Sequence, residues 1–383
     1  MKYQLYLLIS FLIVNCTLTF AQKPNSKEII YAGTFTDKGS KGLYILDFER
    51  TKGEFKELQT VTDGKSPNYL EIDPRGKFLY AVYDESVTPA PDKQGSVMAY
   101  QINPATGLLT KINEQSTAGR GPAHISIDPR GKFAYISNYG DGSLSVYTIN
   151  PDGSLGQLAD VVKHEGIGGD PARQKGPHVH SIIPAKDGKF IYASDLGIDK
   201  IMIYAVDQKT GKLSPAKTPF AQTGPGSGPR HLALHPSGNF AYSAAELTST
   251  IASFRVDKST GALTALETLS MLPDGYTGTS YAADIHFSPD GKFLYASNRG
   301  HDSLVIYAVD VKTGKLKLVG FEPTRGGHPR NFCMDKKGEF VFVANRDNDN
   351  VVVFKRDQAT GKLTYTAETK VPTVVCVKQL FLN

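Results

Sequence analysis

Tryptophan is absent from this 383-residue chain, and only three cysteines and five methionines occur. Without tryptophan there is no Trp-Asp signature of one common blade repeat. Three cysteines cannot supply a disulfide framework. Cys16 lies in the apolar N-terminal stretch, while Cys333 and Cys376 sit in apolar strand-like runs and are expected to be two buried free thiols. Runs of one charge are also missing. The 43 Lys and Arg against 38 Asp and Glu leave a formal charge of +5, and no basic block points to a nucleic-acid partner. Past the N-terminus no apolar run approaches the roughly 20 residues of a membrane-spanning helix. Neither G-x-S-x-G nor H-E-x-x-H occurs, so the common serine-esterase and zinc-protease arrangements have no foothold.

The first residues carry a lysine, an apolar core from Leu5 to Val14 and the small-x-small triplet Thr19-Phe20-Ala21. This pattern predicts a secretory signal peptide over residues 1–21, a short linker over 22–28, and an exported (periplasmic or extracellular) protein. Lipid anchoring at Cys16 is disfavoured because Asn15 precedes it where a small residue is expected.

From residue 29 to 383 the chain reads as one domain. A hairpin pattern recurs as DPRGKFLY from Asp73, DPRGKFAY from Asp128, KDGKFIY from Lys186, HPSGNFAY from His235, SPDGKFLY from Ser288 and DKKGEFVF from Asp335. Its glycines stand about 50 residues apart, the period of a propeller blade. A second series, centred on Gly53, Gly107, Gly153, Gly211, Gly261, Gly314 and Gly361, falls between them and marks another hairpin. Two hairpins make four strands. Six copies of the first series and seven of the second are reconciled if the last blade is composite, with strands B to D from the N-terminal segment and strand A from PTVVCVK, beginning at Pro372. The predicted fold is an all-β, seven-bladed β-propeller. Radial closure protects sheet edges, and a closed ring needs no partner, so a monomer is expected.

Positions equidistant from a hairpin turn meet at its open end. Arg230 and Glu246 each lie eight residues from Gly238, so an arginine and a glutamate are expected side by side at one rim. Equivalent positions in the other blades hold His180, Arg299, Arg330 and Arg346, and His178, Asp195, Asp284 and His286 lie close by. Guanidinium groups recognise carboxylate and phosphate in bidentate fashion, so this cluster suits an anionic, oxygen-rich small molecule. The competing reading is that such residues only tie blade ends together. His178 and His180, like Asp284 and His286, have the spacing of two metal ligands on one strand face. The surrounding arginines would repel a cation, and no metal is expected.

The stretches GPRHLALHP, AEL, YAADIHFSPDGKFLYASNR and HPRNF resemble the bacterial 6-phosphogluconolactonases of the seven-bladed propeller type, related to the fungal carboxy-cis,cis-muconate lactonizing enzyme. The resemblance extends from about Ile29 to the C-terminal strand. It implies lactone chemistry without a metal or organic cofactor, on an anionic lactone as partner. The active-site set that the resemblance implies is His180, Arg230, Glu246 and an arginine that is Arg299 or its competitor Arg330. His178, Asp284, His286 and Arg330 are expected around the substrate. Ring opening needs a base to activate water, Glu246 or His180, and a positive group over the developing oxyanion. A lactonizing cycloisomerase acting on a dicarboxylate and a non-catalytic ligand- or protein-binding propeller are the alternatives. A phosphate ester does not cross a membrane unaided, so export implies either another lactone outside the cytoplasm or a drifted activity.

Overall fold

The computed structural model describes residues 27–85 and 93–382. The signal-peptide and most of the linker assignments lie outside these residues. Seven four-stranded antiparallel sheets comprise 28 strands, β1 to β28 in chain order, and no α-helix occurs among the described residues. The chain is a seven-bladed propeller, as the repeat predicts. The innermost strands are β4 (Pro67–Ile72), β8 (Pro122–Ile127), β12 (Val179–Pro184), β16 (Pro229–Leu234), β20 (Tyr281–Phe287), β24 (Pro329–Met334) and β28 (Val374–Phe381). The composite blade has the order β28-β1-β2-β3, with β1 (Glu28–Thr34), β2 (Leu43–Glu49) and β3 (Glu54–Val61) from the N-terminal segment.

The hairpin motif folds as it does because its aspartate serves the turn. The carboxylate of Asp73 accepts hydrogen bonds from the backbone N–H of Lys77 at 2.6 Å and Phe78 at 2.8 Å, and Gly76 takes the left-handed φ of 68° that closes the turn. Ser288 does the same work in the fifth blade through its hydroxyl, which accepts from Phe293 N–H at 3.0 Å.

The two repeated signatures are partners across blades. Tyr80, at the end of DPRGKFLY, donates its hydroxyl to the carbonyl of Gly153 in the next blade at 2.9 Å, and Tyr242 and Tyr295 reach Gly314 and Gly361 in the same way at 2.7 Å. A side chain at Gly153 would collide with Phe78, whose ring carbon lies 2.2 Å from where its Cβ would stand. The aromatic of one blade therefore requires the glycine of the following one. Between neighbouring sheets lie apolar clusters of Ile, Val, Leu, Phe and Tyr, most of them fully buried.

Cys333 and Cys376 are both free and buried. Burial raises both thiols, Cys376 to about 12. Neither should react with an aromatic disulfide reagent at pH 8 in the native protein, and both should react on unfolding in guanidinium. Stoichiometric labelling of the native chain would show the inner strands to be more open than they are here.

Candidate active site

The blades bring Arg230, Glu246, Arg299 and Arg330 to one mouth of the ring. In the hairpin of β16 and β17 (Phe240–Ala245) the register runs Pro229 to Ala245 and then, past a bulge, His231 to Ala244. Arg230 is the extra residue of that bulge, and bulges re-aim side chains. Its guanidinium Nε meets Glu246 Oε2 at 3.0 Å, and its Nη1 donates to the carbonyl of Ala283 at 2.7 Å. The expected pair is there, although a bulged register rather than simple opposition delivers it.

Glu246 holds more than one arginine. Arg299, at the end of β21 (Phe293–Arg299), places Nη2 2.7 Å from Glu246 Oε2. Arg173 approaches the other oxygen, Oε1, at 3.0 Å. Both carboxylate oxygens are thus occupied. Burial alone would raise this carboxyl, but Arg299, Arg230 and Arg173 overrule it and hold Glu246 at about 2. Burial and the neighbouring Arg299 push Arg230 down to about 10, which leaves it cationic at neutral pH. Arg330 is lowered by burial and by Arg230 and Arg299. It lies 5.4 Å from the ring of Phe35 and has no carboxylate in ion-pair range among the described residues.

Sequence reasoning missed Arg173. It stands outside the repeat, in the long connection from Lys163 to Val179, and no blade register points to it. That connection is pinned by buried Asp199, which accepts from Gly169 N–H at 2.9 Å and from Gln174 Nε2 at 2.6 Å. The Asp199 anchor sets the path of the backbone that carries Arg173 to the mouth.

The histidines divide between mouth and channel. His178 stacks on Tyr139 with centroids 4.5 Å apart and bonds its carbonyl at 2.9 Å, so it forms part of the rim. Asp195 faces the buried His164 at 2.6 Å and ties a loop. His180 is buried beside Tyr139, and burial together with Arg230 and His231 keeps it well below the usual histidine range, hence neutral. Asp284 lies below the arginines, enclosed in the channel, where His231 Nδ1 at 2.7 Å, His286 Nε2 at 2.8 Å and Asn331 Nδ2 at 2.5 Å surround its carboxylate. His286 reaches the opposite mouth, where it lines a depression with Glu71 and Lys378. The structure therefore brings His180, Arg230, Glu246, Arg299 and Arg330 together, and places Asp284 beneath them and His286 across the ring.

One mouth of this closed propeller gathers Arg173, Arg230 and Arg299 on the carboxylate of Glu246, with Arg330 beside them, an arrangement chemically suited to a small anion. The model of the family "Lactonase, 7-bladed beta-propeller" matches residues 29–379, and the chain belongs to this family of lactonases. It is 37% identical to the 6-phosphogluconolactonase of Formosa agariphila, with 80% of this chain and 86% of that protein covered. Identity to the 6-phosphogluconolactonase of Bacillus subtilis is 35%, covering 81% and 86%. Among solved structures it is similar to the periplasmic gluconolactonase of Pseudomonas aeruginosa, with TM-score 0.87 and 32% identity over 94% of this chain and all (100%) of that one. A putative 6-phosphogluconolactonase from Bacteroides fragilis matches with TM-score 0.85 and 35% identity over 94% and 99%.

Proposed function

We propose that this chain is an exported hydrolase of anionic sugar lactones, with its active site at the mouth where Arg173, Arg230, Arg299 and Arg330 surround Glu246. The observation that carries this reading is the surplus of positive charge: Glu246 pairs with three guanidinium groups, two of them buried, and Arg330 beside them has no carboxylate in ion-pair range among the described residues. Buried charge without a counterion is costly, so the site favours an anion. The N-terminal export pattern and the similarity to a periplasmic gluconolactonase support a substrate outside the cytoplasm.

In ring opening the lactone carbonyl becomes an oxyanion and the product is a carboxylate. Fixed guanidinium groups stabilise both without reorganising. Arg230 and Arg299 are oriented by Glu246 and by the carbonyls of Ala283 and Ala282, and they face the developing charge. Arg330 anchors the substrate's own anionic group. Glu246 has both oxygens bound and is held at about 2, so it serves to fix the arginines, and the proton acceptor is a neutral imidazole. His180 and His178 complete the wall.

The test is acid release from paired phosphorylated and plain sugar lactones by residues 22–383, with spontaneous opening subtracted. Turnover should favour the anionic member of each pair. Arg330→Ala should raise KM for that member by about 10- to 100-fold, the loss of a charge-assisted contact, and leave the plain lactone within about threefold. Release no faster than the spontaneous rate with every lactone would defeat the proposal. Tight binding of a sugar acid without turnover would assign the mouth to a binding protein instead.

A further inference from the structure

Resting on that reading, one residue outside the expected catalytic set has the features of its missing base. His231 follows Arg230 and lies in the channel, ringed by His124 and His180 with centroids 5.5 and 5.2 Å away and by Tyr69 at 5.9 Å. Of the buried imidazoles around it, His231 has a carboxylate partner: its Nδ1 lies 2.7 Å from Asp284 Oδ1. Asp284 also accepts from Ile285 N–H at 2.9 Å, Phe332 N–H at 3.2 Å, Asn331 and His286, so it is ionised and can only accept. The proton of neutral His231 therefore sits on Nδ1, and Nε2 carries a bare lone pair.

That lone pair is buried and has no hydrogen-bond partner among the described residues. Asn68 is in the same position, since its amide nitrogen donates to Pro122 O at 2.8 Å while its Oδ1 is buried and unpartnered. Both residues line one small cavity of about 10 Å³ with Arg230, Arg330 and Asn331. Such a volume holds about one water, and two orphaned polar atoms with a guanidinium supply the partners a buried water requires. Asn68 and Arg330 are half-buried, so the cavity adjoins the arginine mouth.

We propose that His231, oriented by Asp284, is the general base of lactone hydrolysis, acting on a water lodged in this channel cavity. Water gives its proton to His231 Nε2 as its oxygen bonds to the lactone carbonyl carbon, and the carbonyl electron pair moves onto the oxyanion faced by Arg230 and Arg299. Collapse re-forms the carbonyl and breaks the ring C–O bond, and the leaving ring oxygen takes the proton from the imidazolium. One lactone and one water yield one hydroxy acid, which ionises, and the base is restored. Asp284 is a positioning residue: it fixes the tautomer and stabilises the transient imidazolium. His180 has no such carboxylate among the described residues and forms the wall beside it.

The experiment compares the parent with His231→Asn, His180→Asn and Asp284→Asn on the lactone the parent turns over best. For His231→Asn, kcat should fall by about 10²–10⁴, the usual worth of a general base, while KM and the inhibition constant of the hydroxy-acid product stay within about threefold. Asp284→Asn should lower kcat in the same direction with the same unchanged KM, and His180→Asn should lose less than His231→Asn. His231→Gln gives the same readout if the Asn variant does not fold. An active parent whose folded His231 variants keep kcat within threefold, or lose less than His180→Asn, overturns the assignment. A parent that opens no lactone removes the hydrolase reading itself and the base with it.

Discussion

Glu246→Gln is expected to cost the protein both its activity and a large part of its stability. Among the described residues its carboxylate is the one in ion-pair range of Arg173, Arg230 and Arg299, and two of those guanidinium groups are almost fully buried. Removing one partner of a buried ion pair strands the other and typically costs about 3–5 kcal/mol. Lowering the carboxyl from 4.5 to about 2 corresponds to about 3 kcal/mol of native stability at neutral pH, which agrees. At about 2.1 cal/mol/K of unfolding entropy per residue, the melting temperature should fall by about 4–7 °C. The pH dependence has a definite sign. Because the folded carboxyl is depressed, its contribution is complete above pH 4.5 and fades as pH falls toward 2, so parent and variant should converge in that window and differ most at neutral pH. Catalysis should drop by about 10²–10³ in kcat, since Arg230 and Arg299 lose the group that aims them. Melting curves at pH 7 and pH 3 with lactone hydrolysis at pH 7 check all three; an unchanged neutral-pH melting point would show that Glu246 does not carry the arginines.

Most of the ring was readable because period and turn chemistry are local. The Asp-Pro-Arg-Gly turns and the excess of one hairpin series over the other led to seven blades and to the composite closure. The meaning of the second series was not readable. That Tyr80 and Phe78 seat Gly153 of the following blade is a contact between segments about 75 residues apart, and periodicity alone cannot say which copies touch. The site shows the same division. Arg230 and Glu246 could be paired from their distance to one turn. Arg173 could not, because it reaches Glu246 from an irregular connection whose path is set by the Asp199 anchor. His231 was passed over for a related reason. Counting from the turn marks rim positions, and a bulge places its neighbour Arg230 there, while His231 owes its interest to Asp284 on the next blade. The Asp284 and His286 pair shares a strand face, as the spacing required, but depth along the channel, which spacing does not encode, separates both from the mouth.

Deleting residues 372–383 should leave a chain that does not reach the native state, and moving the same strand to the other end should restore it. Strand β28 is the inner strand of the composite blade, and β1 pairs with it over its whole length, from Glu28 with Phe381 to Thr34 with Val374. Its Val374, Val375, Cys376, Val377 and Leu380 are buried between the first and sixth blades. Burying an aliphatic side chain contributes about 1.5–3 kcal/mol, so this set alone rivals the roughly 5–15 kcal/mol by which domains are stable. The exposed edge of β1 would also invite pairing with other chains. The truncated protein should therefore be recovered aggregated, with no cooperative melt. The closure, however, depends on the strand being present and not on its place in the sequence. Leu382 N–H donates to Lys27 O at 2.9 Å, so the end of β28 already lies beside the start of β1. A permutant beginning at Pro372, with a short turn joining Leu382 to Lys27 and ending at Val371, turns the terminal pairing into an ordinary hairpin. It should be soluble and melt cooperatively near the parent. A truncated chain that is soluble and melts like the parent would mean that six complete blades hold the ring, and that the joint between the chain ends does not.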